Sequence, residues 1–167
     1  MCISAENVLY LQYMIHSSEI WDPLRKKSVK CTPEEEVRQW FITQVLHEGL
    51  GVPEHMMMSE VGLTYNNMER RADIVVYGRS GKPVMVVECK RPDVELGQET
   101  VDQALRYNKV LDVKYITITN GRKTFMFRRD ARQEPGMGGK EPGMGEEPCM
   151  ADDFVFVEKA PTWEEMQ

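Results

Sequence analysis

Residues 71–91 read RADIVVYGRSGKPVMVVECKR, and this stretch decides the fold because two short apolar runs in it are separated by a turn. The runs 74–77 and 83–89 are rich in β-branched and other apolar residues, which favour strands. Residues 78–81 contain two glycines and read as a turn. The pattern therefore predicts a β-hairpin.

Three ionisable side chains, Asp73, Glu88 and Lys90, accompany these apolar runs. Side chains alternate between the two faces of a strand, so Glu88 and Lys90 project to the same side. A four-residue loop at 78–81 would set Asp73 opposite Val86 and diagonal to Glu88, within roughly 7–8 Å. The hairpin thus predicts that two carboxylates and one ammonium converge.

Two carboxylates at this spacing suit a hard divalent cation such as Mg²⁺, which takes oxygen ligands and keeps several waters. A lysine beside them can orient the attacking water or neutralise charge that develops on a phosphate. The alternative is a structural hairpin with an incidental ion pair, because the spacing itself is common. Burial favours the chemistry: residues 84–87 are all apolar, so the strand should be covered on both faces, where unused charges are costly.

The order of Asp73, Glu88 and Lys90 resembles the D…(D/E)-x-K core of the PD-(D/E)XK nuclease superfamily. A more particular resemblance, to the amino-terminal nuclease domain of type I restriction enzyme R subunits, rests on TPEEEVRQ (32–39), RADIVVY (71–77), VVECKRP (86–92), Gln103 with Tyr107, and ITNG (118–121). These motifs follow the order of that family. The resemblance runs from about residue 21 to 129 and resumes at 153–163.

The resemblance implies a Mg²⁺- or Mn²⁺-dependent endonuclease that hydrolyses DNA phosphodiester bonds. Asp73 and Glu88 would hold the metal with the backbone carbonyl of Cys89, and Lys90 would position or activate water. Family members also place a Q-x-x-x-Y pair on the helix after the catalytic strand, which assigns DNA contacts to Gln103 and Tyr107. The alternative is a module on the same fold that binds DNA or a partner without cleaving.

A helix is predicted from Pro33 to about Leu50, with Thr32 as its N-cap and Glu35 completing a capping box. Counting 100° per residue, Glu34 falls on the apolar face, whereas Glu35 points away towards its capping role. Because superfamily members often supply one more glutamate from this helix, Glu34 is the preferred candidate, although acids in a first turn are also favoured by the helix dipole alone.

The remaining pattern predicts an α/β fold, that is, a mixed α+β restriction-endonuclease-like core with a central mixed sheet flanked by helices. Residues 99–111 have helical spacing, 114–119 and 124–127 read as strands around a tight Asn120-Gly121 turn, and 154–157 reads as an edge strand. Residues 1–20 lack clean periodicity, 21–30 read as a basic connector and 51–59 as a loop. We expect a nuclease-like domain over 1–130, a flexible Gly- and Pro-rich segment over 131–152, and a terminal strand and tail over 153–167.

The net charge of −6 comes wholly from the tail. Residues 1–130 hold 18 Lys and Arg against 18 Asp and Glu, whereas 131–167 hold 3 against 9. Within the neutral body, Arg70, Arg71 and Arg91 are candidate DNA contacts because phosphate binding relies on such cations. The alternative for each is an ordinary solvated charge.

No helicase fits in 167 residues, so the expected partners are DNA and a separate motor or methyltransferase subunit. The four cysteines have no metal-ligand spacing, which favours a reduced compartment over a zinc site. The first residues lack the features of a signal peptide or membrane span. We therefore expect a cytoplasmic protein, of an oligomeric state that the sequence leaves open.

Overall fold

The computed structural model describes residues 18–65, 68–130 and 154–167, except for the side chains of Tyr65 and of residues 107–109. Within them a six-stranded sheet forms the centre of the molecule. The elements in chain order are β1 (Glu19–Asp22), β2 (Lys27–Lys30), α1 (Pro33–Trp40), β3 (Met57–Tyr65), β4 (Met68–Tyr77), β5 (Pro83–Cys89), α2 (Gln98–Leu111), β6 (Tyr115–Thr119), β7 (Thr124–Arg129) and β8 (Phe154–Phe156). The predictions for residues 1–17 and for the segment 131–152 lie outside the described residues.

Strands β3 to β8 lie in the sheet in chain order, and β1 pairs with β2 in a separate hairpin. The β5–β6 pair is parallel and the other pairs are antiparallel. Helix α2 makes the crossover that a parallel pair requires. The mixed sheet with helices confirms the predicted α/β class.

The sheet is covered on both faces, as the apolar run of β5 predicts. On one face, Ile74, Met85 and Val87 pack with Phe41 and the rest of the first helix. On the other face, β4, β5 and β6 pack against α2. Strand β6 is buried at every position and β5 over its last five residues, which is typical of a strand between two helical layers.

Helix α1 begins as the sequence predicts. Thr32 Oγ1 accepts a hydrogen bond from the Glu35 N–H at 3.1 Å, and Pro33 takes the first helical position. The helix continues as a π-helix over Phe41–Gly49, with Leu50 as its C-cap. The first turn of α1 is therefore fixed by its own capping residues.

The β4–β5 register differs from the prediction. Val75, not Asp73, pairs with Val86, and an irregularity at Val76 and Tyr77 brings Tyr77 opposite Pro83. Pro83 has no N–H to donate to the ladder, and Gly81 turns with a φ of 75°. Continuing the observed register by one residue sets Asp73 directly across from Glu88. The carboxylates are thus closer neighbours than predicted.

Two regions predicted as irregular contain strands. Residues 21–30, predicted as a connector, form the β1–β2 hairpin, in which the buried Asp22 accepts hydrogen bonds from the N–H groups of Leu24 and Arg25. Strand β3 begins at Met57, inside the predicted 51–59 loop, and Met57 is buried. Packing and side-chain hydrogen bonds set these strands, and the local sequence pattern does not show either kind of contact.

The carboxyl-terminal residues pack on the sheet. Strand β8 pairs with β7 at the edge of the sheet. The Trp163 ring is buried in the core, and its Nε1–H donates to the Tyr77 carbonyl at 3.2 Å. In the described parts of the chain, no helix has the length and apolar character needed to span a bilayer.

Candidate active site

Asp73 lies on β4 with both carboxylate oxygens hydrogen-bonded. Its Oδ2 accepts from the Cys89 N–H at 2.7 Å, and its Oδ1 accepts from Arg38 Nη2 at 2.6 Å. The side chain is buried, with the residue 8% exposed. A donor of the β5 backbone therefore fixes the carboxylate beside Glu88.

Glu88, Lys90 and Gln103 form one hydrogen-bonded group at the carboxyl end of β5. Lys90 Nζ donates to Glu88 Oε1 at 2.8 Å and to Gln103 Oε1 at 3.0 Å, and Gln103 Nε2 also donates to Glu88 Oε1. Glu88 is 3% exposed. Helix α2 thus supplies Gln103 to orient the Glu88 carboxylate of β5 and the Lys90 ammonium just after it.

The two carboxyls are electrostatically linked. Burial, followed by the charge of Asp73, raises the pKa of Glu88 to about 7, although Lys90 acts in the opposite direction. Burial also raises the pKa of Asp73, against the opposing effects of Arg38 and the Cys89 N–H. For Lys90, burial alone would lower the pKa, but the hydrogen bond and charge of Glu88 outweigh it and raise the pKa. The arrangement favours a cation beside the two acids.

The raised Glu88 pKa predicts a pH-dependent stability of the metal-free protein. Between its ordinary pKa of 4.5 and about 7, the folded state holds a proton that the unfolded state has lost. Stability should therefore fall as pH rises through this window, by roughly 2 kcal/mol. Urea unfolding in EDTA at pH 5 and pH 7 measures this decrease in the free energy of unfolding. Glu88→Gln should remove most of the decrease, whereas Glu54→Gln, at an exposed position, should keep it. Equal decreases in wild type and both variants would contradict the assignment.

The two glutamates of the first turn of α1 have different surroundings. Glu34 lines the cleft beside Asp73, and its charge contributes to raising the pKa of Asp73 and Glu88. The prediction that Glu35 points away was wrong. Glu35 is buried, and its carboxylate accepts from Arg25 Nη2, Arg38 Nη1 and Gln39 Nε2, each at 2.7 Å. Only the Glu35 N–H serves the cap.

Two further residues surround Asp73 without having been predicted as site residues. Arg38, from α1, binds Glu60 Oε1 at 2.5 Å as well as Asp73. Glu60 lies on β3 between the residues that pair with Ala72 and Ile74, and its φ of 56° is unusual for a residue other than glycine. The sequence signals for this cluster were the place of Arg38 in TPEEEVRQ and its spacing from Glu35.

A cleft of about 740 Å³ opens beside Asp73. It is lined by the first turn of α1 and by β3 and β4, including Glu34, Arg38, Glu60, Arg70 and Arg71. In the part of the chain that the structure describes, the buried Nε atom of Arg70 has no hydrogen-bond partner. The Arg71 side chain is 68% exposed and binds Glu60 Oε2 at 2.8 Å. Both predicted arginines of β4 therefore border the cleft that reaches Asp73.

The other predicted DNA contacts lie on β5 and α2 or just beyond them. Arg91, one residue after Lys90, is exposed and binds Asp93 at 2.6 Å. Gln103 faces Glu88 and Lys90, as described above. The side chain of Tyr107 lies outside the described residues, so its assignment stays a prediction.

The chemistry of the donor set suits a hard divalent cation. Glu88 Oε2 is buried and has no hydrogen-bond partner among the described residues, and each Asp73 oxygen accepts one hydrogen bond there although it can accept two. Among the described residues, no group of three or more His, Cys, Asp or Glu side chains is arranged to hold a metal. A cation here would therefore depend on two carboxylates, a backbone oxygen and water, as is common for Mg²⁺.

Comparison with known proteins identifies similar sequences and a similar fold. Residues 33–140 match the family described as type I restriction enzyme R protein N terminus. A 59-residue stretch is 39% identical to the type I restriction enzyme EcoAI endonuclease subunit of Escherichia coli, and covers 35% of this chain and 7% of that protein. A fragment of an HsdR subunit of a type I restriction enzyme from Vibrio vulnificus is similar in structure, with a TM-score of 0.52 and 20% identity over 80% of this chain and 24% of that chain. The chain spans only a small part of these relatives.

Proposed function

The chain belongs to the type I restriction enzyme R protein N-terminal family, and from this we propose that it hydrolyses DNA phosphodiester bonds with a divalent cation, Mg²⁺ or Mn²⁺. One observation carries the proposal. Asp73, Glu88 and Lys90, which match the nuclease pattern D…(D/E)-x-K, lie together at the carboxyl end of a buried strand beside an open cleft. The relatives are subunits of type I restriction enzymes, so we also propose DNA and other subunits of a restriction complex as partners. A cytoplasmic location follows from this proposal.

In this proposal Asp73 and Glu88 hold the cation together with the backbone carbonyl of Cys89. The unpartnered Oε2 of Glu88 supports this role, since a buried carboxylate oxygen left without a donor is costly. When bound, the cation polarises the phosphate and lowers the pKa of a bound water. The Cys89 N–H keeps Asp73 oriented towards Glu88 throughout.

Lys90 acts on the phosphate or on the attacking water. Its ammonium has three N–H donors, and two of them are used by Glu88 and Gln103. The third is left to orient a water or to neutralise charge on a phosphate oxygen. Gln103 serves the reaction by holding Lys90 and Glu88 in position.

DNA would approach through the cleft. Arg70 and Arg71 line it, and Glu34 lies in it next to Asp73, where a carboxylate can position water. Arg91, one residue after Lys90, would also contact DNA, and the family resemblance adds Tyr107 as a further contact. The cations of the cleft would offset the acidic groups that otherwise repel phosphate.

A second candidate function is a module that binds DNA without cleaving it. The Arg38–Asp73 ion pair favours this alternative, because it supplies Asp73 with a cation that belongs to the protein. The two functions predict different responses to metal, since only cleavage requires a divalent cation.

The test is incubation of supercoiled plasmid with the protein across a Mg²⁺ titration. We expect nicked and linear products that increase with Mg²⁺ or Mn²⁺ and disappear in EDTA. Gel-shift measurements with the same plasmid in Ca²⁺ report binding separately. Binding without cleavage at every Mg²⁺ and Mn²⁺ concentration would support the second candidate, and cleavage that persists in EDTA would contradict metal-dependent hydrolysis.

A further inference from the structure

We propose that Arg38 is a resident cation of the metal site, which stabilises the Asp73 carboxylate before a divalent cation binds and weakens the binding of that cation. The inference rests on the proposed metal site at Asp73 and Glu88. It assigns to a residue of the first helix an electrostatic role that the D…(D/E)-x-K pattern does not contain.

The guanidinium of Arg38 joins three structural elements. Its Nη2 lies 2.6 Å from Asp73 Oδ1 on β4. Its Nη1 lies 2.7 Å from Glu35 Oε2 on α1 and 2.5 Å from Glu60 Oε1 on β3. Arg38 is only 4% exposed, so these contacts form away from bulk water. One guanidinium therefore neutralises part of the charge of three carboxylates, and two of these, on Asp73 and Glu60, line the cleft.

The surroundings keep Arg38 charged and in place. Burial alone would lower its pKa, but the charges of Asp73, Glu35 and Glu60 outweigh burial and raise it. Its Nε is buried without a hydrogen-bond partner among the described residues, so the ion pairs of its two terminal nitrogens hold the side chain in place. Glu60 adopts a left-handed backbone conformation while it makes this contact. Such an outlier persists only where the surroundings impose it.

Arg38 is not needed to locate Asp73, and this decides the sign of the effect. The Cys89 N–H holds Asp73 Oδ2 from the β5 backbone, so the carboxylate keeps one strong contact when Arg38 is lost. What disappears is a positive charge that repels a divalent cation across a poorly solvated site. We expect its removal to tighten Mg²⁺ binding by roughly tenfold.

Two neighbouring arginines provide matched controls. Arg25 Nη2 binds Glu35 Oε1 at 2.7 Å, and Arg71 Nη1 binds Glu60 Oε2 at 2.8 Å. Each contacts one of the carboxylates that Arg38 binds, but the structure shows no ion pair between either of them and Asp73. Arg25 is the better control because Arg71 is a proposed DNA contact.

Calorimetric titration of Mg²⁺ and Mn²⁺ into the DNA-free protein tests the inference without a cleavage assay. Arg38→Gln should bind the cation roughly tenfold more tightly than wild type while it melts at a lower temperature in EDTA. Arg38→Lys keeps the charge without the planar fork, so its affinity should stay within about twofold of wild type. Arg25→Gln should likewise bind Mg²⁺ within about twofold of wild type, because the charge it removes is farther away and partly solvated. A purely structural role would lower the melting temperature without tightening the metal.

The possible results separate this inference from the proposed function. If wild type binds Mg²⁺ and Arg38→Gln binds it equally or more weakly, the role of Arg38 is wrong and the metal site stands. If wild type binds neither Mg²⁺ nor Mn²⁺, the proposed function is overturned together with this inference. Should Arg38→Gln fail to fold, the guanidinium ¹⁵N resonance of wild-type Arg38, assigned by its loss in Arg38→Lys, should shift in step with Mg²⁺ saturation. A resonance that does not move at saturation would overturn the inference.

Discussion

Replacing Lys90 with alanine should reduce metal-dependent DNA cleavage by about 10²- to 10³-fold, the usual effect of removing one group that stabilises transition-state charge. The Lys90 ammonium lies 2.8 Å from Glu88 and 3.0 Å from Gln103, so its position is fixed before substrate arrives. Alanine removes the donor that we assign to the water or phosphate. The affinity for DNA should change little, since a single cation contributes a small part of phosphate binding.

Plasmid nicking under single-turnover conditions measures the rate, and gel shifts in Ca²⁺ measure binding. Lys82→Ala is the matched control, because Lys82 is an exposed lysine of the connection between β4 and β5. It should cleave at the wild-type rate. If Lys90→Ala cleaves DNA within a few-fold of the wild-type rate, Lys90 takes no part in the chemistry, whatever the substitution does to folding.

The sequence predicted the parts of this molecule that depend on local pattern. An apolar run such as 83–87 has no polar face, so it must be covered on both sides, and the structure covers it with α1 and α2. The Thr32-Pro33 start of α1 is likewise local, since a hydroxyl and a proline at those positions satisfy the first turn whatever packs on it.

The cluster around Asp73 could not be predicted in the same way because it depends on distant contacts. Arg38 and Asp73 are 35 residues apart, and Glu60 reaches Arg38 from a strand whose start was missed. The register depended on the pairing of Tyr77 with Pro83 and on an irregularity between Val76 and Tyr77, which together moved Asp73 from a diagonal to a direct neighbour of Glu88. The position of Glu35 on a helical wheel also cannot show that Arg25, from the β1–β2 hairpin, donates a hydrogen bond to the buried Glu35 carboxylate.

Substitutions of the adjacent residues Glu34 and Glu35 should have different effects, one on DNA cleavage and the other on stability. Glu35→Gln should lower the free energy of unfolding by about 3 kcal/mol, the cost of removing one partner from a buried ion-pair network. Both Glu35 oxygens accept hydrogen bonds, from Arg25 and Gln39 at Oε1 and from Arg38 at Oε2. An amide keeps only one acceptor and turns an NH₂ group towards a guanidinium or amide donor.

Glu34→Gln should have the opposite pattern. The structure shows no hydrogen bond or ion pair between the Glu34 carboxylate and any described residue, so stability should stay within about 0.5 kcal/mol of wild type. Cleavage should nevertheless fall by about 10- to 100-fold, as expected for a carboxylate that orients groups around a metal. Urea unfolding in EDTA and plasmid nicking in Mg²⁺ measure the two effects on the same preparations. The opposite result would be normal cleavage by Glu34→Gln and lost cleavage by a folded Glu35→Gln. In that case Glu35 is the acid that the first helix supplies to the active site, and its contacts with the arginines belong to that site.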